Sequence, residues 1–217
     1  VHLGKEIPSI LCLVGGVLLF ANKILGLHYP WSMILIPVII AMGIQMVLRY
    51  PKMDFTDLGL GIFGLFYTFV FYIYFLEIRN FPNGFFWLML SMVLIWIGDS
   101  SAFFVGSSLG KNKLSPNLSP KKSVEGAVGE VVFTVAAAVL AGVIFRHYTA
   151  VQGVFLGLLV SLGAIFGDLL ESSIKRSAGV KDSGNFLPGH GGILDRFDSA
   201  LLVIPLVYFY ILYVIFA

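Results

Sequence analysis

Residues 150–176 read AVQGVFLGLLVSLGAIFGDLLESSIKR. The first eighteen carry no charge, and the run then turns polar at Asp168, Glu171, Lys175 and Arg176. A helix needs about 20 mostly apolar residues to cross a hydrocarbon core roughly 30 Å thick. The stretch therefore predicts a membrane-spanning helix over about 150–173 whose end carries chemistry. Asp168, Glu171 or Ser172, and Lys175 recur at steps of three and four, so they share one helical face. A carboxylate inside a span costs about 2.5–3.5 kcal/mol on insertion scales and is a functional candidate by default. Gly163 and Gly167 form a G-x-x-x-G step just before it, whose ordinary meaning is close helix packing.

The rest of the chain repeats the pattern. Six further apolar stretches, at about 8–26, 30–49, 57–78, 84–106, 126–146 and 199–217, bring the expected spans to seven. Tyr50-Pro51-Lys52 and Asn80-Phe81-Pro82-Asn83-Gly84 break them, as do polar loops near 107–125 and 174–198. Of 217 residues 58% are apolar and 12% charged, and mean hydropathy is +0.94. A soluble domain carries about 25% charged residues. The runs are too long for barrel strands, so the fold class is an all-α integral membrane protein. Residues 1–80 hold three spans, and 81–217 hold four spans with the two long loops. The chain opens on Val1 without a signal peptide's basic stretch and cleavage site, which leaves room for further spans before it. The lone Cys12 excludes an intramolecular disulfide and reads as a small buried or lipid-facing residue. A net charge of +2 gives no sign of a nucleic-acid partner.

Seven spans would put eleven basic residues on one side (Lys5, Arg49, Lys52, Lys111, Lys113, Lys121, Lys122, Lys175, Arg176, Lys181 and Arg196). Only Lys23, Arg79 and Arg146 fall on the other, so both long loops are expected in the cytoplasm.

Charge concentrates where the loops meet the spans. Residues 168–198 hold nine of the 26 Asp, Glu, Lys and Arg residues, together with Pro188-Gly189-His190-Gly191-Gly192. Asp195 and Asp198 are three apart and share a face if that turn is helical. Three carboxylates from two helix ends, Asp168, Asp195 and Asp198, suit a hard cation such as Mg²⁺, which takes oxygen ligands and keeps substrate phosphates in its shell. Glycines such as Gly191 and Gly192 let backbone N–H groups approach a phosphate. Lys175, Arg176, Lys181 and Arg196 can neutralise one. His190 can hydrogen-bond a phosphate or a base, or act as a general base. Asp99 lies inside the fourth span. Lys121 and Lys122 are either orienting charges or part of the site. Glu125 and Glu130, at the start of the fifth span, either favour the helix N-terminus or face the site.

Ser173-Ile174-Lys175-Arg176, Lys181-Asp182-Ser183-Gly184 and Leu187-Pro188-Gly189-His190-Gly191-Gly192-Ile193-Leu194-Asp195-Arg196-Phe197-Asp198 resemble the signature of the phosphatidate cytidylyltransferase (CDP-diacylglycerol synthase) family. Its pattern S-x-x-K-R-x(4)-K-D-x-x-x-x-[LIF]-P-x-H-G-G-x-x-D-R-x-D is filled at every fixed position. Gly167-Asp168-Leu169, Ser119-Pro120-Lys121-Lys122-Ser123 with Glu125-Gly126, and Asp99-Ser100 with Ala102-Phe103 resemble neighbouring family segments, so the likeness covers about 95–200. Ser123 stands where Thr is commoner and Val124 where an aromatic is frequent. The resemblance implies Mg²⁺-dependent attack of the phosphatidic acid phosphate on the α-phosphorus of CTP, giving CDP-diacylglycerol and pyrophosphate. It implies metal ligation by Asp168, Asp195 and Asp198, with K⁺ allowed beside Mg²⁺. It places Lys175, Arg176, His190 and Arg196 in the catalytic centre. Lys121, Lys122, Ser123, Lys181, Asp182, Gly191 and Gly192 are expected on CTP and phosphate, and Asp99, Glu125 and Glu171 behind them. It further implies a homodimer in a bacterial inner or plasma membrane. Competing readings are a CTP-dependent polyprenol or phytol kinase, a transporter lined by Asp99 and Asp168, and a membrane scaffold.

Overall fold

The computed structural model describes residues 7–180, 183, 192 and 194–216. The chain divides into two compact units, residues 2–77 and 78–217.

In the first unit, α1 (Ser9–Ile24) and α2 (Ser32–Arg49) pack with a longer rod. That rod is α3 (Phe55–Gly64), a π-helical stretch (Leu65–Val70) and α4 (Phe71–Arg79), whose last turn runs past the unit's edge. Asp54 starts α3 with a capping box: its Oδ1 accepts from the Thr56 and Asp57 amides at 2.7 and 3.1 Å, and Asp57 accepts from the Asp54 amide at 2.8 Å. Leu19, Val70 and Ile73 form one small core, and Val38, Met42 and Leu65 a second. Lys23 pairs with Glu77 at 2.6 Å.

The second unit holds α5 (Gly84–Leu109), a short antiparallel hairpin β1 (Lys113–Ser115) and β2 (Ser119–Ser123), α6 (Val124–Phe145), α7 (Ala150–Ser177) and α8 (Leu194–Tyr210), which ends in a π turn (Ile211–Ile215). Consecutive helices pack on one another, and α5 also touches α7 and α8. Half of the apolar window of α7 and of α8 is buried, so these two form the inner layer. The outer faces of α5 and α6 expose Val93, Phe104, Phe133, Leu140 and Val143, the surface a bilayer would cover.

Six helices among the described residues are long and apolar enough to cross a membrane: 32–49, 55–79, 84–109, 124–145, 150–177 and 194–215. The seventh expected stretch forms α1, whose 16 residues span about 24 Å at 1.5 Å per residue. That is shorter than a hydrocarbon core of about 30 Å. The fold is an all-α multi-pass membrane protein. Helix ends run further than hydropathy indicates. α7 continues to Ser177 and α8 begins at Leu194, so its charged first turn is helical. With 28 residues, α7 measures about 42 Å and overshoots the hydrocarbon by about two turns.

One end of this unit is closed by aromatic rings and hydrogen bonds. Trp87 lies 5.7 Å from Tyr148 and Phe81 stacks on Tyr208 at 5.1 Å, ring centre to ring centre. The Tyr148 hydroxyl donates to the Ala138 carbonyl at 2.7 Å. Burial pushes that phenol up to about 12, so it keeps its proton. Gln152 Nε2 donates to the Val214 carbonyl at 3.0 Å, and the Tyr210 hydroxyl to the Gln152 carbonyl at 2.8 Å. The opposite end is polar.

Candidate active site

At that polar end, α5, the hairpin, the start of α6, the end of α7 and the start of α8 enclose a cavity of about 540 Å³. Its wall carries five carboxyl side chains, Asp99, Glu130, Asp168, Asp195 and Asp198, against three cationic ones, Lys121, Lys122 and Arg196. Charged residues as far apart in the chain as Asp99 and Asp198 meet here, so backbone packing decides the site.

Two glycines permit the approach. A Cβ on Gly167 would lie 2.9 Å from the Asp198 carbonyl oxygen and 3.0 Å from Ser199 Cα. Only a bare α-carbon lets α7 and α8 close to this distance, and that closure sets Asp168 beside Asp198. Gly163 meets Val203 and Leu206 in the same way, so the G-x-x-x-G step is the α7–α8 seam. On the other flank, a Cβ on Gly98 would lie 2.9 Å from Thr134 Oγ1 and 3.1 Å from Glu130 Cγ. Gly98 thereby brings Asp99 close to α6.

Asp99, Asp168 and Asp198 lie within electrostatic reach of one another, and Lys122 within reach of all three. Lys122 Nζ pairs with Asp168 Oδ2 at 2.5 Å. Asp168 Oδ1 accepts from the Ser172 hydroxyl at 3.2 Å, and Asp198 Oδ1 from the Ser199 amide at 2.7 Å. Asp99 has no hydrogen-bond or ion-pair partner among the described residues. Lys175 is also within electrostatic reach of Asp198.

Asp195 is held differently. Its Oδ1 accepts from Lys175 Nζ at 2.8 Å. Its Oδ2 accepts from the Ser183 amide at 2.9 Å, the Ser183 hydroxyl at 2.8 Å and the Gly192 amide at 2.7 Å. Lys175 also pairs with Glu171 one turn back, whose side chain is fully buried. The chain Glu171–Lys175–Asp195 ties α7 to the start of α8 and fastens Ser183 and Gly192 to it. Breaking such a buried pair by removing one partner is costly, because it strands a charge.

Several expected residues stand elsewhere. Arg176 is exposed and donates from Nη1 to the Val180 carbonyl at 3.4 Å. Glu125 lies off the cavity, where it accepts from the Asn112 amide at 3.2 Å and from Asn112 Nδ2 at 2.8 Å. Ser123 lines the wall but its Oγ caps α6, accepting from the Gly126 amide at 3.1 Å. Lys181, Asp182, His190 and Gly191 lie outside the described residues. Glu130 faces the cavity instead of Glu125. It is 4% exposed, and its Oε1 has no hydrogen-bond partner among the described residues. Its depth was the available signal: dipole stabilisation fades after the first turn, and Glu130 is the seventh residue of α6.

The cavity's donor set suits a hard cation by chemistry, with oxygen ligands only and carboxylates outnumbering cationic side chains. Asp168, Asp198 and Asp99 offer them. The oxygens of Asp195 already accept four hydrogen bonds. Among the described residues no three Asp, Glu, His or Cys side chains are grouped so as to hold a metal ion. The fit is one of chemistry and place.

Residues 5–214 match the family model described as "Cytidylyltransferase family". The chain belongs to that family. The chain is similar to a phosphatidate cytidylyltransferase of Bacillus subtilis (strain 168), 43% identical over 167 residues, which are 75% of this chain and 61% of that protein. One from Staphylococcus aureus (strain COL) is 34% identical over 208 residues, 93% of this chain and 78% of that protein. One from Synechocystis sp. (strain ATCC 27184 / PCC 6803 / Kazusa) is 44% identical over 134 residues, 61% of this chain and 45% of that protein. The chain spans about three fifths of the Bacillus subtilis protein. The family match takes in both units and every residue of the cavity wall.

Proposed function

We propose that this chain is a phosphatidate cytidylyltransferase, which joins CTP to phosphatidic acid and releases pyrophosphate at the cytoplasmic face of a bacterial membrane. The observation that carries the reading is the carboxylate and lysine cavity at the mouth of four apolar helices. It offers a polar site for a nucleotide beside a lipid surface. The names and coverage of the relatives support it.

The nucleophile is the lipid's own phosphate oxygen, already largely ionised near neutral pH because a phosphate monoester's second pKa is about 6. Attack forms a bond from that oxygen to the α-phosphorus of CTP, and the bond from the α-phosphorus to the bridging oxygen breaks, so pyrophosphate leaves. No protein base is needed. The obstacle is repulsion between two polyanions. Lys121, Lys122 and Arg196 line the cavity and supply positive charge to both. Asp168 and Asp198, with Asp99 beside them, would hold Mg²⁺, and K⁺ is allowed next to it. When bound, the divalent ion neutralises phosphate charge and assists the leaving pyrophosphate. Asp195 orients the start of α8 through Lys175, and by the family resemblance it would join Asp168 and Asp198 in holding the ion. Through the family resemblance, Lys181, Asp182, Gly191 and Gly192 are assigned to CTP and its phosphates and His190 to the catalytic centre.

The cavity end of residues 78–217 carries Lys111, Lys113, Lys121, Lys122, Lys175, Arg176 and Arg196, against Arg79 and Arg146 at the other end. That imbalance supports a cytoplasmic site. A homodimer is part of the proposal through the family resemblance.

Two labels test the reaction. Purified protein with phosphatidic acid and Mg²⁺ is given CTP labelled on the α- or the γ-phosphorus. Transfer of α-label into a lipid and of γ-label into pyrophosphate is expected. γ-Label in a lipid would make the chain a kinase and overturn the proposal.

A further inference from the structure

Beside the polar cavity, α5 and α6 shape a second cavity, apolar and about 490 Å³ in volume. Val93, Trp96, Ile97, Ser100 and Phe104 of α5 and Phe133 of α6 line it. The α5 residues recur at three- and four-residue steps and so form one face. From Val93 to Phe104 the helix rises about 16 Å at 1.5 Å per residue, roughly half of a 30 Å hydrocarbon core.

The two cavities share a wall. Trp96 lines both and is 58% exposed. Successive residues of α5 sort between them: Asp99 and Phe103 face the polar cavity, Ser100 and Phe104 the apolar one. An anionic headgroup beside Lys121 and Lys122 would therefore have an apolar channel adjoining it, with an amphipathic indole at the junction.

We propose that this groove holds an acyl chain of the phosphatidic acid substrate while the phosphate of the same molecule sits in the polar cavity. The proposal rests on the function proposed above. Continuity with the charged cavity selects this occupant. A lipid with an exposed phosphate monoester can fill both compartments and present its free oxygens to Lys121, Lys122 and Arg196, whereas the phosphate of phosphatidylcholine is a diester capped by a bulky choline. The groove sets the depth of the lipid, and with it the position of the attacking oxygen.

Photo-cross-linking reads this without turnover. The full chain is placed in phosphatidylcholine vesicles with phosphatidic acid carrying a diazirine midway along one chain, and labelled residues are mapped by mass spectrometry. Label is expected on Val93–Phe104 and Phe133. Unlabelled phosphatidic acid should suppress it, added phosphatidylcholine should not, and Val93→Trp, which fills the groove nearly two turns away from Asp99, should remove it. In the same variant the KM for long-chain phosphatidic acid should rise about tenfold or more. The KM for CTP and the rate with a dihexanoyl substrate should stay within about twofold. Equal labelling by a phosphatidylcholine probe, label spread to Leu140 and Phe155, or cross-links joining two copies through this face would overturn the proposal. Specific labelling in a chain that makes no CDP-lipid would overturn the function and keep the groove as a phosphatidic acid site. Turnover with an unlabelled groove would overturn the groove alone.

Discussion

The two ends of the 78–217 unit are built by opposite rules. At one end Trp87, Tyr148, Tyr210 and Gln152 satisfy one another: rings stack, hydroxyls find carbonyls, and the helices are pinned together. At the other end the helices converge as closely, through Gly167 and Gly98, yet what they bring together is carboxylates. Like charges held near one another oppose folding. The aromatic end and the glycine seams supply the packing that offsets this, and the cost is retained where a cation and phosphates would relieve it. The same four helices are thus a clamp at one end and an unfinished site at the other.

Substitutions can separate the two roles. The largest effect is expected at the polar end. Asp198→Asn keeps size and an oxygen that can accept from the Ser199 amide while removing charge, and should lower turnover by about a thousandfold, the upper range for losing one electrostatic contributor. Its thermal unfolding should match or exceed the parent's, because one of the crowded carboxylates loses its charge, and an active Asp198→Asn protein would deny the residue any role. Next comes Lys175→Ala, which strands Glu171 and should cost about 3–5 kcal/mol in denaturation. The double variant Glu171→Leu/Lys175→Met should regain most of that stability yet stay slow, because Asp195 has lost its lysine. Gly167→Val would force α7 from α8 and should cost about 1–3 kcal/mol, with activity falling more than stability as Asp168 is displaced. The smallest effect belongs to the closed end. Tyr148→Phe removes one hydrogen bond and should cost about 1 kcal/mol in unfolding, with kcat unchanged. A loss of kcat there would mean that the two ends are coupled.

Much of this was legible in the residues. Apolar run length gives the class because no other spanning fold accommodates stretches of twenty residues. The i, i+3 spacing of Asp195 and Asp198 is helical because α8 starts at Leu194, five residues before hydropathy alone would begin it. Hydropathy windows stop at the first charge, whereas helical hydrogen bonding continues into water. The Lys122–Asp168 pair was not legible, since it depends on how the hairpin folds over α7. Nor could spacing decide between Glu125 and Glu130. Asn112 captures the first, and only the packing of α6 on Gly98 turns the second inward. Arg176 matches the motif as well as Lys175 does, but one residue further along the helix it points to solvent.

The proposed Mg²⁺ site needs carboxylates from α7 and α8 to hold one divalent ion between them. Mn²⁺ takes the same oxygen ligands as Mg²⁺, so its binding to the purified chain in the presence of CTP can be titrated by electron paramagnetic resonance. A saturable site that is lost in both Asp168→Asn and Asp198→Asn and kept in Tyr148→Phe is the predicted result. Unchanged Mn²⁺ binding in the two aspartate variants would contradict it.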